Sequence, residues 1–257
     1  MRIMAQKDER KINILYVGDN IDEITIMHVG FDFTFYNRAV TEGRLAVALS
    51  AVHGFAVRRI WGTAIAREFP NSLDELSKYD VVVLSDVGGD TLLFSDELMK
   101  GQRVPNRHKL IQEFVQNGGG LAMIGGYWSF GGFRGTARYH GTPIEEVLPV
   151  RIKDGDDRVE VPEGFRISFA ESEHQMLSNL DRNEDHFFLG YNRFKAKEDA
   201  TVLATYLDDP ILVLGSYGKG RTLAFASDCD LHWGGSFVNS QNYVKFWRQA
   251  IKWLAKA

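Results

Sequence analysis

The histidine that is best placed to do chemistry lies in residues 227–233, which read SDCDLHW. His232 follows an apolar run that predicts a strand, and Asp228 lies four residues before it. A histidine near a carboxylate can act as a general base or as a metal ligand. The alternative is a histidine that only stabilises its own loop through hydrogen bonds. We take His232 and Asp228 as the candidate catalytic pair.

A second polar cluster lies in residues 138–142, which read RYHGT and come directly before a predicted helix. Anions bind well at helix N-termini, so Arg138 and His140 could hold a carboxylate or a phosphate. The alternative is a loop that is packed by its own hydrogen bonds. The sequence leaves both interpretations open.

Glycines and aromatic residues form a third candidate site. Residues 121–124 (LAMI) predict a short buried strand, with glycines on both sides that allow sharp turns. Gly126 is followed by Tyr127 and Trp128, whose rings could form the floor of a site for a sugar or a planar ligand. They could equally be core residues that fill a pocket. Another glycine pair, Gly88-Gly89, follows the preceding predicted strand.

A predicted β-α-β unit would bring these groups to one place. Residues 79–84 (YDVVVL) predict a strand, residues 107–116 a helix and residues 121–124 the next strand. In open α/β sheets, ligands bind at the carboxyl ends of parallel strands. We therefore expect Gly88, Gly89, Gly126, Tyr127 and Trp128 near one binding site. Residues 11–17 (KINILYV) predict the first strand, which ends at Asp19 and adds it to the candidate ligand-binding residues.

The remaining elements complete an α/β domain. Helices are predicted at residues 44–52 and, with a strongly amphipathic pattern, at residues 242–255. Strands are predicted at residues 55–60, 191–194, 200–206, 211–217 and 221–227, and residues 218–220 (GKG) predict a hairpin turn. We expect one domain over residues 1–257, with a β-rich insertion at about 151–217.

Residues 21–43 are rich in aromatic side chains but lack a clean helical or alternating pattern. Such a segment either covers a pocket, packs against a partner subunit, or is an ordinary packed crossover. Burying several Phe side chains contributes about 1.5–3 kcal/mol each, so solvation of this segment would be costly. We therefore expect a homo-oligomer in which Phe33 and Phe35 contribute to the interface.

Composition narrows the function class. The 257 residues are 44% hydrophobic and 25% charged, as in ordinary globular proteins. A net charge of −4 without a long basic run argues against nucleic-acid partners, and no apolar stretch approaches the ~20 residues of a membrane span. The single cysteine, Cys229, fits a reducing compartment. We expect a cytoplasmic protein.

Three long segments of the sequence resemble those of a known superfamily. They read YDVVVLSDVGGDTLL, RVPNRHKLIQEFVQNGGGLAMIGGYWSFGG and GKGRTLAFASDCDLHWGG. The chain resembles the class I glutamine amidotransferase-like superfamily, in a branch related to trehalose-utilisation-type proteins. The resemblance implies a flavodoxin-like, mainly parallel sheet with helices on both faces and antiparallel β additions.

The resemblance also implies an elbow, Gly-x-Cys-x-Gly, that carries the nucleophilic cysteine. Here the elbow reads GGYWS, so Tyr127 stands at the nucleophile's position. A phenol, with a pKa of about 10, is a poor acyl-transfer nucleophile beside a thiolate. Cys229 lies too close to His232 in sequence to replace the missing thiol, and we expect a small buried cysteine.

Two functions are compatible with these residues. The first is a protein without glutaminase activity that binds a small metabolite or a partner at the degenerate site. The second is a hydrolase that uses His232 and Asp228, with or without the assistance of a metal. Because no compact metal-ligand motif is present, we favour the first and expect neither a metal nor a cofactor.

Overall fold

The structure is a computed structural model that describes residues 10–29 and 33–257. Its strands are β1 (Ile12–Gly18), β2 (Asn20–Val29), β3 (Phe33–Glu42), β4 (Phe55–Ile60), β5 (Val81–Ser85), β6 (Gly120–Ile124), β7 (Val150–Ile152), β8 (Arg158–Phe165), β9 (Ser168–Phe169), β10 (Phe188–Asn192), β11 (Phe194–Ala196), β12 (Thr201–Tyr206), β13 (Asp209–Tyr217) and β14 (Gly220–Phe225). An eight-stranded sheet in the order β4-β1-β5-β6-β14-β13-β12-β9 forms the centre of the molecule. The first five of these strands are mutually parallel, and the last three add on antiparallel.

Helices cover the sheet and explain its buried strands. They are α1 (Arg44–Ser50), α2 (Ile65–Glu68), α3 (Leu73–Leu76), α4 (Gly89–Leu93), α5 (Asp96–Met99), α6 (Arg107–Gln116), α7 (Pro143–Val147), α8 (Leu231–Gly234) and α9 (Asn242–Leu254). One group is formed by α1 with α9, and another by α6 with α3, α4 and α7. Strands β5 and β6 are buried along their whole length, as expected of parallel strands covered on both faces. The predicted flavodoxin-like α/β fold is confirmed.

The β-rich part of the chain divides between the central sheet and two small sheets. Antiparallel pairs β7-β11 and β8-β10 stand apart from the central sheet, whereas β12 and β13 extend it. The segment at about 151–217, which we expected to be a β-rich insertion, therefore contains both the strands of the two small sheets and strands of the central sheet.

Two regular strands, β2 and β3, account for most of the described residues of the segment 21–43. Strands β2 and β3 pair with each other in antiparallel register from Asn20–Glu42 to Val29–Phe33. The expectation of an irregular segment was wrong, because its apolar residues do not alternate and so hide the two strands from a pattern search. Phe33 and Phe35 belong to β3, and the homo-oligomer expected from them stays a prediction.

The register of the parallel strands aligns their carboxyl ends. Gly18 of β1 pairs with Ser85 of β5, Ser85 pairs with Ile124 of β6, and Ile124 pairs with Phe225 of β14. The loops that follow these four strands therefore begin at one edge of the sheet. Within the described ranges, no helix is long and apolar enough to cross a membrane.

Candidate functional site

The elbow after β6 is a tight turn fixed by polar side chains from neighbouring loops. Gly126 has a φ of 153°, and a side chain there would collide with the carboxylate of Asp86. The Gly126 N–H donates to Oδ1 of Asn192 at 3.0 Å, and the Trp128 N–H donates to Oδ1 of Asp86 at 2.7 Å. In elbow-type hydrolytic sites, the N–H after the nucleophile stabilises the oxyanion. Here the corresponding donor, on Trp128, already binds a carboxyl group.

The side chain at the elbow is engaged through its hydroxyl. The Tyr127 phenol donates to Oε1 of Glu160 at 3.0 Å, and the indole N–H of Trp233 donates to Oε2 of the same carboxylate at 2.9 Å. Burial, followed by the hydrogen bond to Glu160, raises the pKa of Tyr127 above its ordinary value. Tyr127 is therefore less readily deprotonated to a nucleophilic phenolate than a free tyrosine is.

The guanidinium of Arg158 packs against the Tyr127 ring. Arg158 lies 4.9 Å from the Tyr127 ring centroid and 4.1 Å from that of Phe133. It is held by two hydrogen bonds to Asp156, of 3.0 and 2.9 Å. This pairing with Arg158 lowers the pKa of Asp156. Arg158 and Glu160 both come from β8, a strand that the sequence did not associate with the site.

His232 lies beside the elbow. Its ring is perpendicular to that of Tyr127 at a centroid distance of 4.5 Å and stacks on Trp233 at 5.5 Å. Its Nδ1 lies 4.0 Å from Oδ2 of Asp228, too far for a hydrogen bond. Desolvation lowers the pKa of His232, partly opposed by the charge of Glu160, so the imidazole is neutral at pH 7. The two candidate catalytic residues are neighbours without forming a hydrogen-bonded dyad.

Carboxyl groups gather behind the elbow at the strand ends. Asp19 and Asp86, which follow β1 and β5, have left-handed φ values of 53° and 48°. Burial raises the pKa of Asp19 to about 7 and that of Asp86 to about 6. Burial, together with the charges of Asp19 and Asp86, raises the pKa of Asp228 as well. Perturbed carboxyl groups from separate strands are typical of functional sites.

The only thiol is part of the same buried group. Cys229 Sγ lies 3.5 Å from the Tyr16 hydroxyl, 3.3 Å from the Ser85 hydroxyl and 3.6 Å from Asp19 Oδ2. Burial raises its pKa well above that of an ordinary thiol. Cys229 is therefore a small buried residue, as expected, and not a reactive thiolate. One ligand atom each from Asp19, Asp228 and Cys229 lies within 4.8 Å of the others, a spatial grouping that sequence spacing did not reveal.

The remaining predicted residues lie on another side of the elbow loop. The Gly89 N–H donates to the Ala137 carbonyl at 2.8 Å, and Gly88 also lies against Ala137. Arg138 and His140 line a cavity of about 400 Å³, and no elbow residue contributes to its lining. The structure thus distributes the candidate residues over two places. Tyr127, Trp128, His232, Asp228, Asp19 and Gly126 surround the strand ends, whereas Gly88, Gly89, Arg138 and His140 lie towards the second cavity.

Several residues that shape the elbow were missed by sequence reasoning. Asp86 ends a predicted strand, so the rule that found Asp19 could also have found it. Asp157 lies in the segment DGDD, whose composition is typical of a turn, but its carboxylate accepts hydrogen bonds from the N–H groups of Gly131 and Gly132. Glu160 and Asn192 carry no local signal, because only the fold brings their strands to the elbow.

Comparison with known proteins places the chain in a family. Residues 13–256 match the family described as "Putative glutamine amidotransferase", so the chain belongs to this family. Two cytoplasmic proteins from Salmonella typhimurium have similar structures, in agreement with the location expected from the sequence. One is 38% identical over 94% of this chain and 98% of that chain, with a TM-score of 0.86. The other is 36% identical over 95% of this chain and 99% of that chain, also with a TM-score of 0.86.

A more distant structure has the same fold. A ThuA-like protein from Parabacteroides merdae is 12% identical over 95% of this chain and 90% of that chain, with a TM-score of 0.55. At this level of identity the comparison shows a shared fold. No curated protein sequence matches the chain.

Proposed function

We propose that this chain is a member of the amidotransferase family that does not hydrolyse glutamine and instead binds a small ligand at the elbow. The observation that carries the proposal is the hydrogen bond from the Trp128 N–H to Asp86, beside a tyrosine in the nucleophile's position. Both the attacking group and one oxyanion donor of a glutaminase are thereby lost.

Each loss would be sufficient to reduce acyl-transfer chemistry strongly. Tyr127 has a raised pKa and donates its proton to Glu160, so it does not supply a nucleophile at neutral pH. Removing one oxyanion donor typically costs about 10²–10³ in kcat. A carboxyl group in contact with the Trp128 N–H is worse than a missing donor, since any negative charge on Asp86 repels a developing oxyanion.

Ligand binding is supported by the chemistry that remains exposed. Trp128 is 48% exposed and the His232 side chain 49%, and both rings adjoin the Tyr127 ring. Aromatic faces accept planar molecules or the apolar faces of sugars. The carboxyl groups of Asp19, Asp86 and Asp228 behind them are acceptors for hydroxyl or amino donors. A small planar or sugar-like ligand with such donors fits both features.

Ammonia release from glutamine tests the central part of this proposal. The wild-type protein is expected to release none above the buffer rate. The Tyr127→Cys variant is also expected to be inactive, because Asp86 still binds the Trp128 N–H. Ammonia release by the wild type that is abolished by Tyr127→Phe or Cys229→Ser would contradict the proposal.

A hydrolase is the second candidate function. It is supported by His232, a neutral imidazole 4.0 Å from Asp228, which a substrate-induced shift could turn into a general base. Turnover of p-nitrophenyl acetate or p-nitrophenyl glycosides that disappears in His232→Ala would favour this candidate.

Self-association through β2 and β3 remains a prediction from the sequence. Light scattering on the wild type and on a Phe33→Asp/Phe35→Asp variant checks it, with a monomeric wild type as the contrary result.

A further inference from the structure

The cavity that contains Arg138 and His140 is a separate feature of the fold. It has a volume of about 400 Å³, within the range of small-molecule sites. Its walls come from α4, from α6, from the loop before α7 and from the loop after β7. Because Tyr127, Trp128 and His232 do not line it, its use does not depend on the function proposed for the elbow.

Two cations reach this cavity from different segments. Arg138 donates to Oδ2 of Asp90 through Nη1 at 2.9 Å, which orients the guanidinium and uses one of its five donors. Lys153 donates to the Asp156 carbonyl at 2.9 Å, and an ammonium has three donors. Charged donors therefore remain on both groups for a ligand oxyanion.

Hydrogen-bond acceptors line the same cavity. Asp90 and Asp154 supply carboxylates. His140 contributes a ring whose Nδ1 contacts the Ile152 carbonyl at 2.9 Å. Since a carbonyl only accepts, Nδ1 donates this hydrogen bond, and a ring protonated at Nδ1 alone keeps an acceptor at Nε2. The lining thus carries donors for an oxyanion together with acceptors for hydroxyl or amino groups.

The backbone that presents Arg138 is firmly held. Arg138 adopts a left-handed φ of 59°, which is uncommon for a residue with a side chain. The next residue, Tyr139, is fully buried, donates its hydroxyl to the Val87 carbonyl at 2.6 Å and stacks on the His108 ring. His108 in turn contacts the Gly89 carbonyl through Nε2 at 3.0 Å. The Arg138 wall is therefore preorganised, which reduces the entropy lost on binding.

We propose that this cavity is a second ligand site, which binds a small polar metabolite carrying a carboxylate or phosphate together with hydroxyl or amino donors. The oxyanion contacts Arg138 and Lys153, and the donor groups contact Asp90 and Asp154.

Isothermal titration with four probes tests the proposal. Glycerol 3-phosphate and glycerate carry an oxyanion with hydroxyl donors, inorganic phosphate carries the oxyanion alone, and glycerol carries the hydroxyl groups alone. At least one of the first two is expected to bind with a Kd below about 10 mM and about tenfold more tightly than inorganic phosphate and glycerol. Whichever of the two binds identifies the oxyanion as phosphate or carboxylate.

Variants assign the binding to this cavity. Arg138→Gln and Lys153→Gln are each expected to weaken binding about tenfold, since each removes a charge-assisted hydrogen bond. Arg134→Gln is the matched control, because Arg134 belongs to the same loop, shares the left-handed conformation at φ 53° and places its guanidinium over Phe133 instead. Circular dichroism of each variant verifies the fold.

Three results would overturn the proposal. One is that neither glycerol 3-phosphate nor glycerate binds below about 10 mM. Another is that inorganic phosphate binds as tightly as both, which would show that the hydroxyl groups are not recognised. The third is binding that is unchanged in Arg138→Gln or equally weakened in Arg134→Gln.

Discussion

Two kinds of aspartate lie near the elbow, and they differ in how many hydrogen-bond donors satisfy their charges. Asp157, 1% exposed, accepts hydrogen bonds from the N–H groups of Gly131 and Gly132 at 2.7 and 2.8 Å and from the Asn192 amide at 2.8 Å. Burial raises its pKa, while these three donors act in the opposite direction. Asp157 thus holds the elbow loop together.

The aspartates at the strand ends are in a different situation. Asp19 accepts a hydrogen bond from the Tyr16 hydroxyl at 2.8 Å, yet burial and the charges of Asp230 and Asp86 raise its pKa to about 7. Asp228, 4% exposed, accepts from the Asp230 N–H at 2.9 Å, and burial and its acidic neighbours raise its pKa. Burial therefore makes the charged forms of these carboxyl groups unfavourable in the fold. The ligand that we propose for the elbow would donate hydrogen bonds to them and offset this cost.

The largest expected effect concerns Asp157. Asp157→Ala leaves two backbone N–H groups and the Asn192 amide without their acceptor, and each unsatisfied buried donor costs about 1–3 kcal/mol. We expect the free energy of unfolding to fall by about 3 kcal/mol or more in urea titrations. Asp228→Asn, which removes a poorly satisfied charge, is expected to change it by less than about 1 kcal/mol. Equal losses in the two variants would remove the distinction between the two kinds of aspartate.

A smaller effect is expected in the pH dependence of stability. The pKa of Asp19 is raised from 3.8 to about 7, so the folded state binds more protons than the unfolded state between these values. Stability therefore falls as the pH rises through this window, and the loss is complete above pH 7.

The Asp19→Asn variant should lack this contribution. Its stability relative to the wild type is expected to increase by about 2 kcal/mol between about pH 5 and pH 6.5, measured by urea unfolding. If the difference in stability between the variant and the wild type does not change with pH, the pKa of Asp19 in the folded protein is that of an ordinary carboxyl group.

The fold was predictable because its main elements carry local signals. The helix at residues 107–116 and the strand at residues 55–60 were located with the bounds that the structure shows. The antiparallel pairing of β2 with β3 was missed, since the apolar residues of this segment do not alternate regularly along the sequence. The positions of β12 and β13 depend on long-range pairing, which local patterns do not report.

Only those site residues that directly follow a predicted strand could be predicted from the sequence. The neighbourhood of Tyr127 and His232 follows from the topology, and both rings are in contact in the structure. The Tyr127 phenol donates to Glu160, which lies 33 residues further along the chain. Only tertiary packing brings residues so far apart in sequence into contact. The separation of Arg138 from the elbow likewise depends on the path of a loop with several left-handed residues.

Carboxyl-detected ¹³C NMR titration tests most directly whether the strand-end aspartates differ from Asp157, with Asp→Asn variants assigning the signals. We expect the signals lost in Asp19→Asn and Asp86→Asn to titrate near pH 7 and pH 6. The signal lost in Asp157→Asn is expected to titrate at a lower pH than that of Asp19, because three donors stabilise its charged form. Titration of all these signals at the ordinary carboxyl pKa of about 4 would contradict the account.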